Sequence, residues 1–163
     1  MERTKFRDIL LYLQPQIERY LIRSHHTLIN WTMTEFINGQ RAVKLMVAQA
    51  LSRIHISFDI WTSPSALPIL GICAHFLSSD LQLKHPLLGL KYLEGSHTGE
   101  AIAEVLRRIM EEYEVVDKWG VMVADNATNC DSACAALVQQ LRPEEDKAGR
   151  RVRCFGYILN LAA

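Results

Sequence analysis

The sequence predicts an α/β chain in which an N-terminal helical segment, residues 1–53, precedes a mixed sheet with flanking helices over residues 54–163. Three observations carry that expectation. Apolar residues recur at helical spacing from Phe6 to about Ser52. Beyond that point, short apolar or alternating runs of strand length take over. Two of those runs close on an aspartate, Asp59 and Asp125, where a carboxylate beside a low-dielectric core is costly to desolvate unless a partner holds it.

The helical part is read first from Phe6, Ile9, Leu10, Leu13, Ile17, Tyr20 and Leu21, then from Leu28, Trp31, Phe36, Val43, Met46, Val47, Ala50 and Leu51. Pro15 separates two helical stretches, and Ser24 and Thr27 are candidate N-caps for the next. Gly39 is expected to divide off a last helix, residues 40–53. Residues 54–60, 69–77 and 87–93 then have strand length, with Ser78-Ser79-Asp80 as a turn, so three antiparallel strands follow in sequence. The next helix opens at Ser96-His97-Thr98-Gly99-Glu100, with Ser96 or Thr98 as cap. Its apolar face is Ile102, Val105, Leu106, Ile109 and Met110, and it ends near Tyr113. A fourth strand, residues 119–124, delivers Asp125; a helix over 129–141 stops before Pro143, and residues 144–150 form a loop. Val152 to Phe155 is a fifth strand running into Ile158-Leu159-Asn160-Leu161.

Strand, strand, strand, helix, strand, helix, strand is the ribonuclease-H-like order. The expected fold is therefore an incomplete ribonuclease-H-like domain, three antiparallel strands followed by parallel additions. A right-handed crossover from the third strand through the helix would lay the fourth strand beside the first. Asp59 and Asp125 would then be neighbours. Two carboxylates on adjacent strands suit hard divalent cations, which serve phosphodiester chemistry. Each acid alone also has a structural reading, because Asp before Asn is a common turn or cap residue.

Composition bounds the alternatives. With 49% hydrophobic and 22% charged residues the chain is globular, and 18 basic against 18 acidic residues give no global field for nucleic acid. DNA contact would have to come from local patches, such as Arg150, Arg151 and Arg153, or more weakly the stretch from Arg19 to His26. The four cysteines, Cys73, Cys130, Cys134 and Cys154, form no CxxC pair and read as reduced thiols; Cys130 and Cys134, one helical turn apart, read as packing residues. No apolar run reaches the length of a membrane span and no signal sequence follows Met1, which predicts a soluble chain that is not secreted.

Five stretches together resemble the hAT superfamily of DNA transposases, most closely its fungal Restless-like members. They are Ser57-Phe58-Asp59-Ile60-Trp61-Thr62-Ser63-Pro64, Gly71-Ile72-Cys73-Ala74-His75-Phe76, Gly95-Ser96-His97-Thr98-Gly99-Glu100, Ala124-Asp125-Asn126-Ala127-Thr128-Asn129, and the run from Arg150 to Leu161. The resemblance implies a nuclear enzyme that cleaves and transfers DNA strands at transposon ends, with two aspartates and a distant glutamate holding magnesium or manganese. Asp59 and Asp125 match the first two acids. The third would lie beyond Ala163, so the chain reads as the N-terminal part of a truncated core, inactive alone, unstable with one sheet face less covered, and able to oligomerise only through segments it lacks. The family's N-terminal zinc-binding module is absent from this sequence as well.

Other residues are weighed beside the pair. Glu100 and Glu104 are the nearest substitutes for a third metal ligand, against capping and solvated-face roles. Asp131 is expected in the first turn of its helix, and Glu144, Glu145 and Asp146 in a solvated loop. Asn126, Asn129, Cys154 and His97 belong to the motifs, and His97 reads either as a DNA contact or as a residue at a helix start. Tyr157 stands where the family's Cys-x-x-His motif has histidine; Ala101 and Cys130 each replace an asparagine common in relatives. Trp61 and Trp119 are read as packing groups in preference to base-stacking ones. Two other functions stay open: a non-catalytic, transposon-derived DNA- or protein-binding remnant, and a compact ribonuclease-H-type nuclease using Asp59, Asp125 and a helix glutamate.

Overall fold

The computed structural model describes residues 4–22, 24–93, 95, 97–146 and 149–156. These fall into two compact units, Met1–Arg41 and Ala42–Ala163. The division lies earlier than the break in sequence pattern after Arg53.

In the first unit, helix α1 (Thr4–Leu13) is followed by a short 3-10 helix (Pro15–Tyr20) with proline in its first turn, where a missing N–H costs nothing. Arg7 and Glu18 meet across the two at 3.5 Å. Helix α2 (His25–Ala48) begins behind Ser24, whose hydroxyl oxygen accepts the N–H of Thr27 at 3.2 Å. Gly39 does not divide this helix, which runs through it unbroken. A glycine in a helix costs only about 1 kcal/mol against alanine, less than the hydrogen bonds a break would lose. None of the described residues up to Arg41 is buried.

The second unit begins in the last turns of α2, where Val47 enters a core. Six strands follow: β1 (Ile54–Thr62), β2 (Pro68–Leu77), β3 (Leu83–Lys84), β4 (Leu87–Tyr92), β5 (Trp119–Ala124) and β6 (Arg151–Arg153). Helix α3 (Gly99–Glu112) links β4 to β5, and α4 (Thr128–Leu141) lies between β5 and β6. The sheet runs β3-β2-β1-β5-β6, with β4 also paired to β2. β1 is antiparallel to β2 and parallel to β5, and β5 is parallel to β6. This is the mixed, ribonuclease-H-like α/β arrangement that the element order predicts, with the two-residue β3 as an unforeseen addition. The last strand is shorter than expected, and residues 157–163, which include Tyr157 and the expected Ile158 to Leu161 run, lie outside the described residues.

Alternation along the strands separates two faces. Ile54, Ile56 and Phe58 of β1, Leu70, Ile72, Ala74 and Phe76 of β2, and Met122 of β5 are buried. They share one core with Ile102, Leu106, Ile109 and Met110 of α3 and with Cys130, Ala133, Cys134, Leu137 and Val138 of α4. Burying each large side chain stabilises the unit by about 1.5–3 kcal/mol. Thr98, not Ser96, is the cap of α3: its hydroxyl accepts the N–H of Ala101 at 3.3 Å. The intervening residues of β1 and β5 form the other face.

Glycines at two helices give opposite expectations. A Cβ at Gly99 would lie 2.4–2.7 Å from Ser132 atoms of α4, including its backbone carbon. Gly99→Ala should therefore cost about 1–3 kcal/mol, as overpacking does. At Gly39 a Cβ meets nothing within 4 Å, and Gly39→Ala should raise helix stability by about 0.5–1 kcal/mol. Urea unfolding followed by far-UV circular dichroism measures both.

Candidate active site

The parallel pairing of β1 and β5 sets Ile56 beside Met122 and Ser57 beside Val123. Two residues further along each chain stand Asp59 and Asp125, on the face away from the core. Across the antiparallel side, Asp59 pairs with Gly71, and Gly71 pairs with Leu90 of β4. One row across the sheet thus reads Asp59, Gly71, Leu90, and Asp125 follows directly on the end of the neighbouring β5. Both acids line a cleft of about 400 Å³ together with Ser57, Trp61, Cys73 and Cys154. Asp59 is not at a strand end, because β1 continues to Thr62.

The two carboxylates are held differently. Asp59 is exposed on the strand. Asp125 is half-buried just past β5; its Oδ1 accepts the N–H of Ala127 at 3.0 Å, which turns the chain into α4. The turn reading and the site reading are therefore compatible for this residue. Cys130, buried in α4, donates its thiol to the Asp125 carboxylate, and burial first and this carboxylate second push the thiol up to about 12. Cys134 is likewise raised to about 11 by burial. Asn129 lies in the first turn of α4, which starts at Thr128, and the buried Oδ1 of Asn126 has no hydrogen-bond partner.

The remaining candidates separate. No three His, Cys, Asp or Glu side chains gather into a metal-holding group among the described residues, so neither Glu100 nor Glu104 joins the pair. Glu100 is exposed in the first turn of α3. Glu104 accepts from Arg107 at 2.9 Å and from Arg108 at 2.7 Å; these two guanidiniums, Arg107 foremost, hold its carboxyl at about 2. His97 is exposed directly before the cap Thr98.

The arginine cluster is largely used within the unit. Arg150 pairs with Glu145, donates to the carbonyls of Trp119 and Gly120 at 2.7 and 2.6 Å, and lies 4.9 Å over the Trp119 ring. Glu145 is thus a framework residue and not a solvated loop acid. Arg151 bonds Asp131 at 3.0 Å and the carbonyl oxygens of Ala124 and Asp125. Asp131, in the first turn of α4 as expected, also meets Arg153 at 3.3 Å. Of the three arginines only Arg153 is mostly exposed, so the expected basic patch is reduced to one side chain.

Three members of the site face carry no role in the sequence analysis. Ser57 and His75 bond side chain to side chain at 2.7 Å across β1 and β2, and burial, then His85 and His55, lower the His75 pKa. Gly71 belongs to one of the motif stretches, and a Cβ there would fall 2.9 Å from the Trp61 ring. The period of two along β1 was the available signal, since it puts Ser57, Asp59 and Trp61 on one face.

Two measurements check this geometry. A thiol reagent should label half-buried Cys73 and Cys154 in the native protein, while buried Cys130 and Cys134 react only after denaturant is added; rapid native labelling of Cys130 would contradict its contact with Asp125. The Glu104 pairing stabilises the fold above the ordinary carboxyl value of 4.5 and is lost as pH falls toward 2. Glu104→Gln should flatten that acid limb of a stability-versus-pH curve followed by circular dichroism.

Comparison with known proteins supports the fold. The model of the ZBED1 RNase-like domain family matches residues 57–150, more than half of the chain. "Putative transcriptional regulator tpeD" of Talaromyces stipitatus is 31% identical over 113 residues, 69% of this chain and 13% of that protein. "Putative AC transposase" of Zea mays is 24% identical over 168 residues, spanning all of this chain and 20% of the maize protein. The chain thus spans a fifth or less of the length of these relatives. With a match that contains both Asp59 and Asp125 and the elements that bring them together, the chain belongs to the ZBED1 RNase-like domain family and is related to the hAT-type transposases.

Proposed function

We propose that this chain carries the first two acids of a metal-dependent DNA strand-cleavage and strand-transfer site of the hAT type, in a fungal Restless-like transposase acting in the nucleus on transposon ends. The reading is supported by the parallel β1–β5 pairing up to Ser57 and Val123, beyond which Asp59 and Asp125 both line one cleft. A third ligand, where the working assembly has one, is not among the described residues.

The donor set fits magnesium or manganese. It is all oxygen, and such ions are bound through one or two carboxylates with water and substrate phosphate completing the shell. Asp125 is pre-positioned by Ala127 and Cys130, and Asp59 lines the same cleft. When bound, the ion would activate a water or hydroxyl and stabilise the leaving oxygen of a phosphodiester. Ala127 orients the Asp125 carboxylate, and the side chains of Leu87 and Leu90 line one side of the cleft.

The relative described as a transcriptional regulator supports a second reading, in which the fold serves as a non-catalytic DNA- or protein-binding module. The two readings differ at the acids. Under the first, manganese should raise the melting temperature of the wild-type chain through linkage, and Asp59→Ala or Asp125→Ala should abolish that rise. In the longer parent protein, the same substitutions should reduce metal-dependent cleavage of a transposon-end duplex to background. An unchanged melting temperature at millimolar manganese in the wild type would favour the second reading.

A further inference from the structure

Ser57 and His75 form a side-chain pair on the sheet face that carries the acids. The Ser57 hydroxyl oxygen lies 2.7 Å from Nε2 of His75, across the antiparallel pairing of β1 and β2. Ser57 lines the cleft together with Asp59 and Asp125, while His75 stands behind it, outside that lining. His75 is half-buried. Burial foremost, then the nearby His85 and His55, hold its pKa below the usual 6.5, so the ring is neutral at pH 7. The groups around it are otherwise engaged or uncharged. His55 faces it from β1, and the Nδ1 of His55 accepts the N–H of Val121 at 3.2 Å. The ring of exposed His85, past β3, is centred 6.3 Å away. Cys73, two residues earlier on β2, stays a thiol because burial raises its pKa.

We propose that Ser57 and His75 are a proton relay for the acid site, with His75 as the base and Ser57 as the hydroxyl that passes the proton to it. This deepens the reading of Asp59 and Asp125 as a phosphodiester site and rests on it. Ser57 and Asp59 are two residues apart on one face of β1, about 6.7 Å along the strand, so a water held beside Asp59 comes within reach of the Ser57 hydroxyl. As that water attacks phosphorus, one of its O–H bonds breaks and the proton joins Ser57 Oγ, while the proton already on Oγ passes to Nε2 of His75. The electron pair of the broken P–O bond stays on the leaving oxygen, which takes a proton from solvent. The serine ends as it began, and the imidazolium loses its extra proton to water on the side of His85. A neutral imidazole titrating near the working pH is better matched to this task than a carboxylate engaged with a cation. The role requires Nε2 to be the bare nitrogen of His75, with the ring proton on Nδ1.

Two experiments test the relay. The first uses this chain without metal: nitrogen-15 NMR of the histidine rings, with His75 assigned by its loss in His75→Gln. His75 should titrate below 6.5 and carry its proton on Nδ1 at pH 7, and Ser57→Ala should remove that preference. A ring that is charged at pH 7, or that carries its proton on Nε2 in the wild type, would overturn the proposal whatever the activity. The second follows metal-dependent cleavage of a transposon-end duplex by the longer parent protein against pH. The wild-type rate should fall as pH drops through the His75 midpoint. His75→Gln should lower the rate about 100-fold or more and abolish that acid limb. Ser57→Ala should do the same, and Ser57→Thr, which keeps the hydroxyl, should restore most of the rate; thermal melts check that each variant is folded. An acid limb that persists in His75→Gln, or equal rates for Ser57→Ala and Ser57→Thr, would sink the relay alone. Wild-type protein that shows no metal-dependent cleavage, or cleavage that survives Asp59→Ala, would remove the reading of the acids and the relay with it.

Discussion

The site depends on the parallel contact between β1 and β5. The two strands are joined only through β2, β3, β4 and α3, so their pairing closes a long loop and must be stabilised by burial. That burial comes from Ile54, Ile56 and Met122 on one side and from the apolar stripe of α3 on the other. A one-residue slip of β5 would turn Met122 outward and Val121 inward. The same slip would shift Asp125 relative to Asp59, so the core fixes the register on which the proposed site rests.

The ends of this contact are fastened by arginines. Arg151 reaches from β6 to the carbonyls of Ala124 and Asp125 and to Asp131, tying the end of β5 to the start of α4. Arg150 caps the opposite end of β5 through Trp119 and Gly120, with Glu145 as its counter-charge. Such half-buried guanidiniums are planar donors that satisfy several carbonyls at once. A basic run that looks like a nucleic-acid patch is consumed in holding the turn that carries the second acid.

Most of the fold was legible because it is written in periods. Strand alternation in β1, β2 and β5 and the apolar face of α3 identify these elements within a residue or two, and their order implies the neighbouring of Asp59 and Asp125. What was not legible depends on competition between partners. Gly39 suggested a break because glycine is a weak helix former, but α2 supplies enough hydrogen bonds to run through it. Glu104 looked available as a ligand until Arg107 and Arg108, one turn away, claimed its carboxylate. Arg150 and Arg151 looked exposed because nothing in a local window shows carbonyls and acids arriving from β5 and α4. Trp61 and Trp119 are indistinguishable by residue type, and only the register reveals that one faces the core and the other the cleft.

The two acids are unequal in a way that bears on how the site assembles. Asp125 is anchored by the Ala127 amide and the Cys130 thiol at the start of α4, where the helix dipole favours negative charge. Asp59 projects from the middle of a strand and is exposed, so its rotamer freedom is not yet spent. Two carboxylates brought together repel, and the strain falls on the freer partner, which can turn toward water. A cation would therefore meet one preset ligand and order the other, with a modest entropic cost confined to Asp59.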